Sequence, residues 1–159
     1  MKTLILLCGI PGSGKSTWAK AYAKEHPNTF ICDTDETRKK ITGSYLIFPE
    51  HMEVIFDDLI AQANAIFAST AGDCTVIEDA AFLDNYRREY FMKRLKGYDH
   101  SILLMVKMKD YSPCYLRNRN RPKEKWVPDS VIDDMIRRYE DPTPEVRKLF
   151  DEVRVEWWN

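Results

Sequence analysis

The chain has 159 residues, 44% of them hydrophobic and 31% charged, which suits one soluble globular domain able to bury a substantial core. Its formal net charge of −1 excludes any global pull toward nucleic acid or a membrane surface, so a polyanion would have to be held by a local basic patch. No stretch approaches the roughly 18 apolar residues of a membrane span, and the first apolar run leads straight into a glycine-rich motif rather than a signal-cleavage site, so a cytoplasmic protein without membrane contact is expected.

Residues 3–8 (Thr-Leu-Ile-Leu-Leu-Cys) are too short and too apolar for a surface helix and read as a strand buried on both faces, the mark of a parallel sheet. A glycine-rich turn follows, then a helix from about Lys15 to Glu25 that stops near Pro27. Thr29 to Asp33 is a second strand, with a further helix after it. Over residues 51–71 the apolar positions Met52, Phe56, Leu59, Ala63 and Phe67 share one helical face, and Gly72 is a plausible stop. Thr75–Ile77 and Ser101–Lys107 are further strands, and helices fit about 84–96 and 129–140, the second entered through Pro128-Asp129-Ser130. Residues 152–157 alternate as an edge strand would, followed by Trp158, which with Trp157 is expected to pack the chain end onto the domain. This alternation predicts an α/β domain with a mostly parallel sheet, its ligand edge at the C-terminal ends of the strands. Cys8, Cys32, Cys74 and Cys114 form no C-x-x-C pair and read as reduced, mostly buried thiols. His26, His51 and His100 show no metal-ligand spacing.

Gly9-Ile-Pro-Gly12-Ser13-Gly14-Lys15-Ser16 matches G-x-x-x-x-G-K-[ST] in full, between a buried strand and a helix as that motif requires. Glycines let successive backbone N–H groups turn inward around phosphate oxygens, and the helix N-terminus adds partial positive charge. The segment Gly12, Ser13, Gly14, Lys15, Ser16 and Thr17 is therefore the expected ATP-phosphate cradle, with Lys15 on the β- and γ-phosphates and the Ser16 hydroxyl on Mg²⁺.

Asp33-Thr34-Asp35-Glu36-Thr37-Arg38 sits where the second strand ends. Phosphoryl transfer to a hydroxyl needs a group to accept its proton, and Asp35 is the candidate base; Arg38, one helical turn on, could clamp an anion of the acceptor. Capping of the next helix by Asp33, Thr34 or Asp35 is the competing explanation. Glu78-Asp79 comes after the third strand, the usual place of an acid organising magnesium, so Asp79 joins Ser16 as a metal candidate, directly or through water. The stretch from Arg117 to Lys125 carries five positive charges against one negative. Charge this dense is commonly a solvated face; in a P-loop kinase it is also where a lid closes, and Arg117 and Arg121 are the arginines placed to neutralise the transferring phosphoryl group.

The constellation resembles the kinase domain of the phage-type polynucleotide 5′-kinase family. The matching residues are Pro11-Gly-Ser-Gly-Lys15-Ser-Thr-Trp18, Asp35 with Arg38, Asp79 with Arg87-Arg88, Arg117 to Arg121, and Val127-Pro128 before the helix holding Met135 and Tyr139. The resemblance implies a nucleoside-monophosphate-kinase-like three-layer sandwich: a four- or five-stranded parallel sheet, helices on both faces and an arginine-rich lid at about 113–128, as a single P-loop kinase domain over residues 1–159. It further implies Asp35 as general base, Arg38 as clamp on the acceptor's 3′-phosphate, Asp79 and Arg87 near the acceptor, and Arg121 as lid arginine on the donor phosphates. Families of this kind often carry a C-terminal phosphatase domain, to which the matched residues do not extend. Residues 42–58 depart from what a polynucleotide track needs: besides His51 they supply only acidic charge, from Glu50, Glu53, Asp57 and Asp58. Arg38, Arg87, Arg88 and Lys93 could line a short track for a terminal nucleotide or two, with Tyr45, Phe48, Phe82 or Tyr86 as a base platform.

The leading expectation is ATP- and Mg²⁺-dependent phosphorylation of a 5′-hydroxyl on RNA or DNA. A small-molecule kinase for a nucleoside, sugar, antibiotic or nucleotide-sugar is the rival, and a nucleotide-dependent switch is disfavoured because it has no use for an acceptor base and clamp. Monomer and dimer both remain open.

Overall fold

The computed structural model describes residues 1–159. Five strands, β1 (Lys2–Cys8), β2 (Thr29–Asp33), β3 (Cys74–Asp79), β4 (His100–Lys107) and β5 (Glu152–Trp157), form one sheet in the order β2-β3-β1-β4-β5, with every pair parallel. Between them lie α1 (Lys15–Glu25), α2 (Thr34–Thr42), α3 (Glu53–Ser69), α4 (Asn85–Met92), α5 (Ser112–Arg119), α6 (Asp129–Arg138) and α7 (Pro144–Arg147). No helix is long and apolar enough to cross a membrane.

Alternation along β1 builds both faces of the sheet. Leu4, Leu6 and Cys8 join the larger core with α3, α4 and Phe150, whereas Ile5 and Leu7 join Ile77, Ile102, Leu104 and Val106 under Trp18, Ala19 and Tyr22 of α1. The result is a three-layer α/β sandwich of P-loop kinase type. A third cluster, Ile10, Leu83, Met108, Cys114 and Ile132, anchors α5 and α6 beyond the strand ends. All four cysteines are buried free thiols, and burial pushes that of Cys8 up to about 11. After β1 the chain runs to the β2 edge, and after β3 it crosses to β4, so the crevice opens between the C-terminal ends of β1 and β3.

Several boundaries differ from expectation. Strand β3 runs on to Asp79, because β1 and β2 extend the ladder through Leu7↔Asp79 and Asp33↔Asp79; Glu78 and Asp79 are thus its last residues and do not follow it. Helix α4 is shorter at both ends: the Asp84 carboxylate caps it by accepting the Arg87 N–H at 2.9 Å, and Asn64 Oδ1 takes the Lys96 N–H at 2.9 Å after the chain has turned. Helix α6 ends at Arg138 because the Glu140 N–H donates to Leu83 O at 2.8 Å. The one-turn helix α7, capped by Thr143, had no apolar periodicity long enough to announce it.

Glu78 is 0% exposed on the α3 side of β3, and no donor reaches either carboxyl oxygen. Burial therefore holds it protonated, with its pKa well above the ordinary value. An unfolded chain ionises this group from about pH 4.5, so its linkage removes stability as pH rises from there, by about 1.4 kcal/mol per unit until the folded group also ionises. The stability difference between Glu78→Gln and the parent should accordingly grow in favour of the variant from pH 5 to pH 7 in urea unfolding; a constant difference would mean that Glu78 is ionised in the fold.

Candidate active site

The loop from Gly9 to Gly14 connects β1 to α1. Gly12 (φ +81°) and Gly14 (φ +99°) occupy the left-handed region, and a Cβ at Gly12 would stand 2.5 Å from the Cys114 carbonyl of α5, so bulk is excluded there on two counts. Ser13 is buried, and its N–H donates to Ile10 O at 3.0 Å, which places it in the turn itself and not on the cavity wall. The N–H groups of Gly14, Lys15, Ser16 and Thr17 have no acceptor in the protein and open the first turn of α1, forming an anion cradle. A cavity of about 370 Å³ begins at this cradle and runs past Asp33, Asp35, Arg38 and Asp79 to Arg117 and Arg121.

Asp79 lies under the cradle, accepting from Lys15 Nζ at 3.2 Å and from Ser16 Oγ at 2.9 Å. No group of three or more His, Cys, Asp or Glu side chains converges to hold a metal by itself. A hydroxyl beside a carboxylate at the phosphate cradle nevertheless fits Mg²⁺, which prefers hard oxygen ligands and completes its shell with water and phosphate.

At the end of β2 one aspartate caps the next helix and another meets two arginines. Asp33 is the N-cap of α2, accepting the Asp35 N–H at 2.8 Å. Asp35, in the first turn, presents Oδ1 to Arg38 Nη1 at 3.1 Å and Oδ2 to Arg121 Nη2 at 2.5 Å. Burial alone would raise the Asp35 carboxyl; the Arg121 charge, the Arg38 charge and the Arg121 hydrogen bond together outweigh it and hold the group below the usual carboxylate range. Asp33 shifts the other way, through burial first and then the charges of Asp35 and Asp79.

Arg38 is 8% exposed. It stacks 4.3 Å from the Phe48 ring centroid and donates through Nη1 to Tyr45 O at 3.0 Å, while its buried Nε has no acceptor. A buried donor of this kind is costly unless an anion meets it. On the lid, Arg117 Nη1 reaches Gly12 O at 3.2 Å, and Arg121 spans the cavity to Asp35. A second tether joins lid to α2: Lys125 Nζ lies 3.3 Å from Glu36 Oε1, which also accepts from Tyr45 Oη at 2.9 Å. The carboxamide of buried Asn118 bonds Val127 O at 2.7 Å and Val127 N at 3.0 Å, and the Trp126 indole N–H donates to Arg121 O at 2.8 Å. These two residues shape the lid and escaped notice in the sequence, where an amide among arginines and a lone tryptophan carry no signal. Trp158 packs against the α1 face of the sheet, its ring 3.6 Å from where a Gly14 Cβ would stand, whereas Trp157 is 53% exposed.

Other expected acceptor residues lie elsewhere. Arg87 pairs with Asp84 in the first turn of α4 and does not line the cavity, because the Asp84 cap draws its guanidinium back along the helix. Arg88 is fully buried, donating to Phe82 O at 3.1 Å, Asn85 Oδ1 at 3.1 Å and Glu140 O at 2.7 Å. Among the aromatic candidates, Tyr45 and Phe82 are buried, and Tyr86 is exposed on α4 with its hydroxyl on Glu53. Only Phe48 lines the cavity. Arg88→Met should cost about 2–4 kcal/mol in urea unfolding, since the buried Phe82 carbonyl and the partly buried Glu140 carbonyl lose their donor. Unchanged stability would show that Arg88 is not a structural tie.

Comparison with known proteins adds three findings. The model of a family described as an AAA domain matches residues 4–142. Heterogeneous nuclear ribonucleoprotein U-like protein 2 of Mus musculus is 26% identical over 159 residues, covering 94% of this chain and 21% of that protein, so the chain spans about a fifth of the length of the curated relatives it matches. Among solved structures, one titled as the Pnkp1/Rnl/Hen1 RNA repair complex aligns with a TM-score of 0.69 at 21% identity, over 94% of this chain and 46% of that one. A sugar kinase from Janibacter sp. HTCC2649 aligns with a TM-score of 0.64 at 17% identity, over 98% and 84%. At such identities the structural likenesses speak to the fold.

Proposed function

Because the chain belongs to the AAA domain family, and carries a P-loop kinase fold, we propose that it is an ATP- and magnesium-dependent kinase whose acceptor is the 5′-hydroxyl of an RNA or DNA end. The observation that carries this reading is the Asp35 carboxylate, held ionised between Arg38 and Arg121 at the far end of the phosphate cradle. A hydroxyl seated there would pass its proton to Asp35 as its oxygen bonds to the γ-phosphorus and the bond to the ADP oxygen breaks. Lys15 and the α1 amides would hold the donor phosphates, and Arg117 and Arg121 would balance charge on the moving phosphoryl group. Mg²⁺, held by Ser16 and Asp79, would neutralise phosphate charge when bound.

Arg38 supports an anionic acceptor such as a nucleotide 3′-phosphate, through a buried donor that has no partner of its own. With Arg87 and Arg88 engaged elsewhere, the basic track is short, suited to an end and not to a long polynucleotide. A small-molecule kinase is the second reading, favoured by residues 42–58, whose charges besides His51 are the acids Glu50, Glu53, Asp57 and Asp58 and which supply no cation for a polynucleotide backbone. A cytoplasmic location accompanies either reading.

Incubation with γ-labelled ATP, Mg²⁺, 5′-hydroxyl oligonucleotides and a panel of nucleosides and sugars tests the choice. Label on the oligonucleotide is expected. Label confined to a small molecule would move the assignment to the second reading, and release solely as inorganic phosphate would point to a switch.

A further inference from the structure

Past Phe48 and Val127, which line the main cavity, a second open groove of about 760 Å³ continues between the α2–α3 connection and the lid. Its wall is apolar and aromatic: Leu46, Phe48, Trp126, Pro128 and Val131, with Leu46, Phe48 and Trp126 between 37% and 46% exposed. The charged residues on it, Arg119 and Asp129, are paired with each other at 2.5 Å, so the groove offers no free charge.

We infer that this groove is a subsite for the nucleobase of the acceptor's second nucleotide, an inference that rests on the 5′-end reading above. With the reacting hydroxyl at Asp35 and the 3′-phosphate at Arg38, the strand continues beyond the ring stacked on that guanidinium, which is Phe48. What comes next along a strand is a flat, uncharged base, and what comes next along the protein is a largely apolar wall with two aromatic rings, its two charges paired with each other. A phosphate would find no free cation there. A base would find stacking surface independent of its identity, so tolerance of sequence follows.

Steady-state phosphorylation of three acceptors tests this: a nucleoside 3′-phosphate, a dinucleotide, and a dinucleotide abasic at its second position, which keeps the phosphodiester but lacks the base. The dinucleotide should show a KM about tenfold below that of the abasic form, within the range of one base stacked on an aromatic ring. Leu46→Asp, placing a charge on the wall, should shrink that ratio toward one. Equal KM values for the intact and abasic dinucleotides, with all three acceptors phosphorylated, would overturn the groove assignment and leave the kinase reading standing. Failure of every nucleic-acid acceptor would instead overturn the 5′-end reading and the groove assignment with it.

Discussion

Asp35→Asn should lower turnover by about a hundred- to ten-thousandfold, the range expected when a positioned general base is lost. The exchange keeps the shape of the side chain and its place in α2, but its single carbonyl oxygen can accept from only one of Arg38 and Arg121, and an amide cannot take the acceptor's proton. ATP affinity should not weaken, because the variant removes a negative charge from a cavity built to receive phosphates. Nucleotide affinity by calorimetry and turnover by label transfer separate the two effects. Turnover within about threefold of the parent would exclude Asp35 as the base, since even a modest base contributes more than that.

Arg121→Ala should reduce turnover by about a thousandfold, the scale at which a transition-state arginine acts, with a far smaller change in ATP affinity. In the free enzyme Arg121 is the nearer partner of Asp35, and ATP phosphates would compete for it. The same variant carries a pH signature. Asp35 sits below the ordinary carboxylate range, with the Arg121 charge the strongest of the influences lowering it, so at neutral pH it is ionised and ready to accept a proton. Without Arg121, burial is less opposed, the Asp35 pKa rises, and the acid limb of kcat/KM moves to higher pH. An unmoved acid limb with full turnover would remove Arg121 from the mechanism; a lowered turnover with an unmoved limb would keep its charge role and exclude its influence on Asp35.

Much of the frame was legible in the residues. Helix α1 and strand β2 have the bounds read from the sequence, because a glycine-rich turn, a proline and a run of β-formers act within a few residues of themselves. The phosphate loop announced itself for the same reason: its chemistry needs contiguous amides, so the residues that make it are contiguous too. Strand β3 was read two residues short at its end because its final acids look like a turn until neighbours on both sides extend the ladder.

The part of the cavity beyond the phosphate loop was less open to reading. Arg38 and Arg87 are both arginines a few residues beyond an aspartate, yet one lies across the cavity under an aromatic ring and the other is drawn back onto a helix cap. Glu78 and Asp79 are adjacent carboxylates, and the strand's alternation sends one into the apolar core to stay protonated and the other beneath Lys15 and Ser16.

By itself, the order of residues determined the alternating α/β layout, the phosphate cradle and the acids and arginines available to it, since each depends on spacing along a short segment. The tertiary structure alone decided which of those charges meet. Asp35 and Arg121 are 86 residues apart in the chain and 2.5 Å apart in space, and only packing of the lid over the strand ends brings them together. Coulomb and hydrogen-bond energies depend on that distance and on burial, neither of which local sequence encodes.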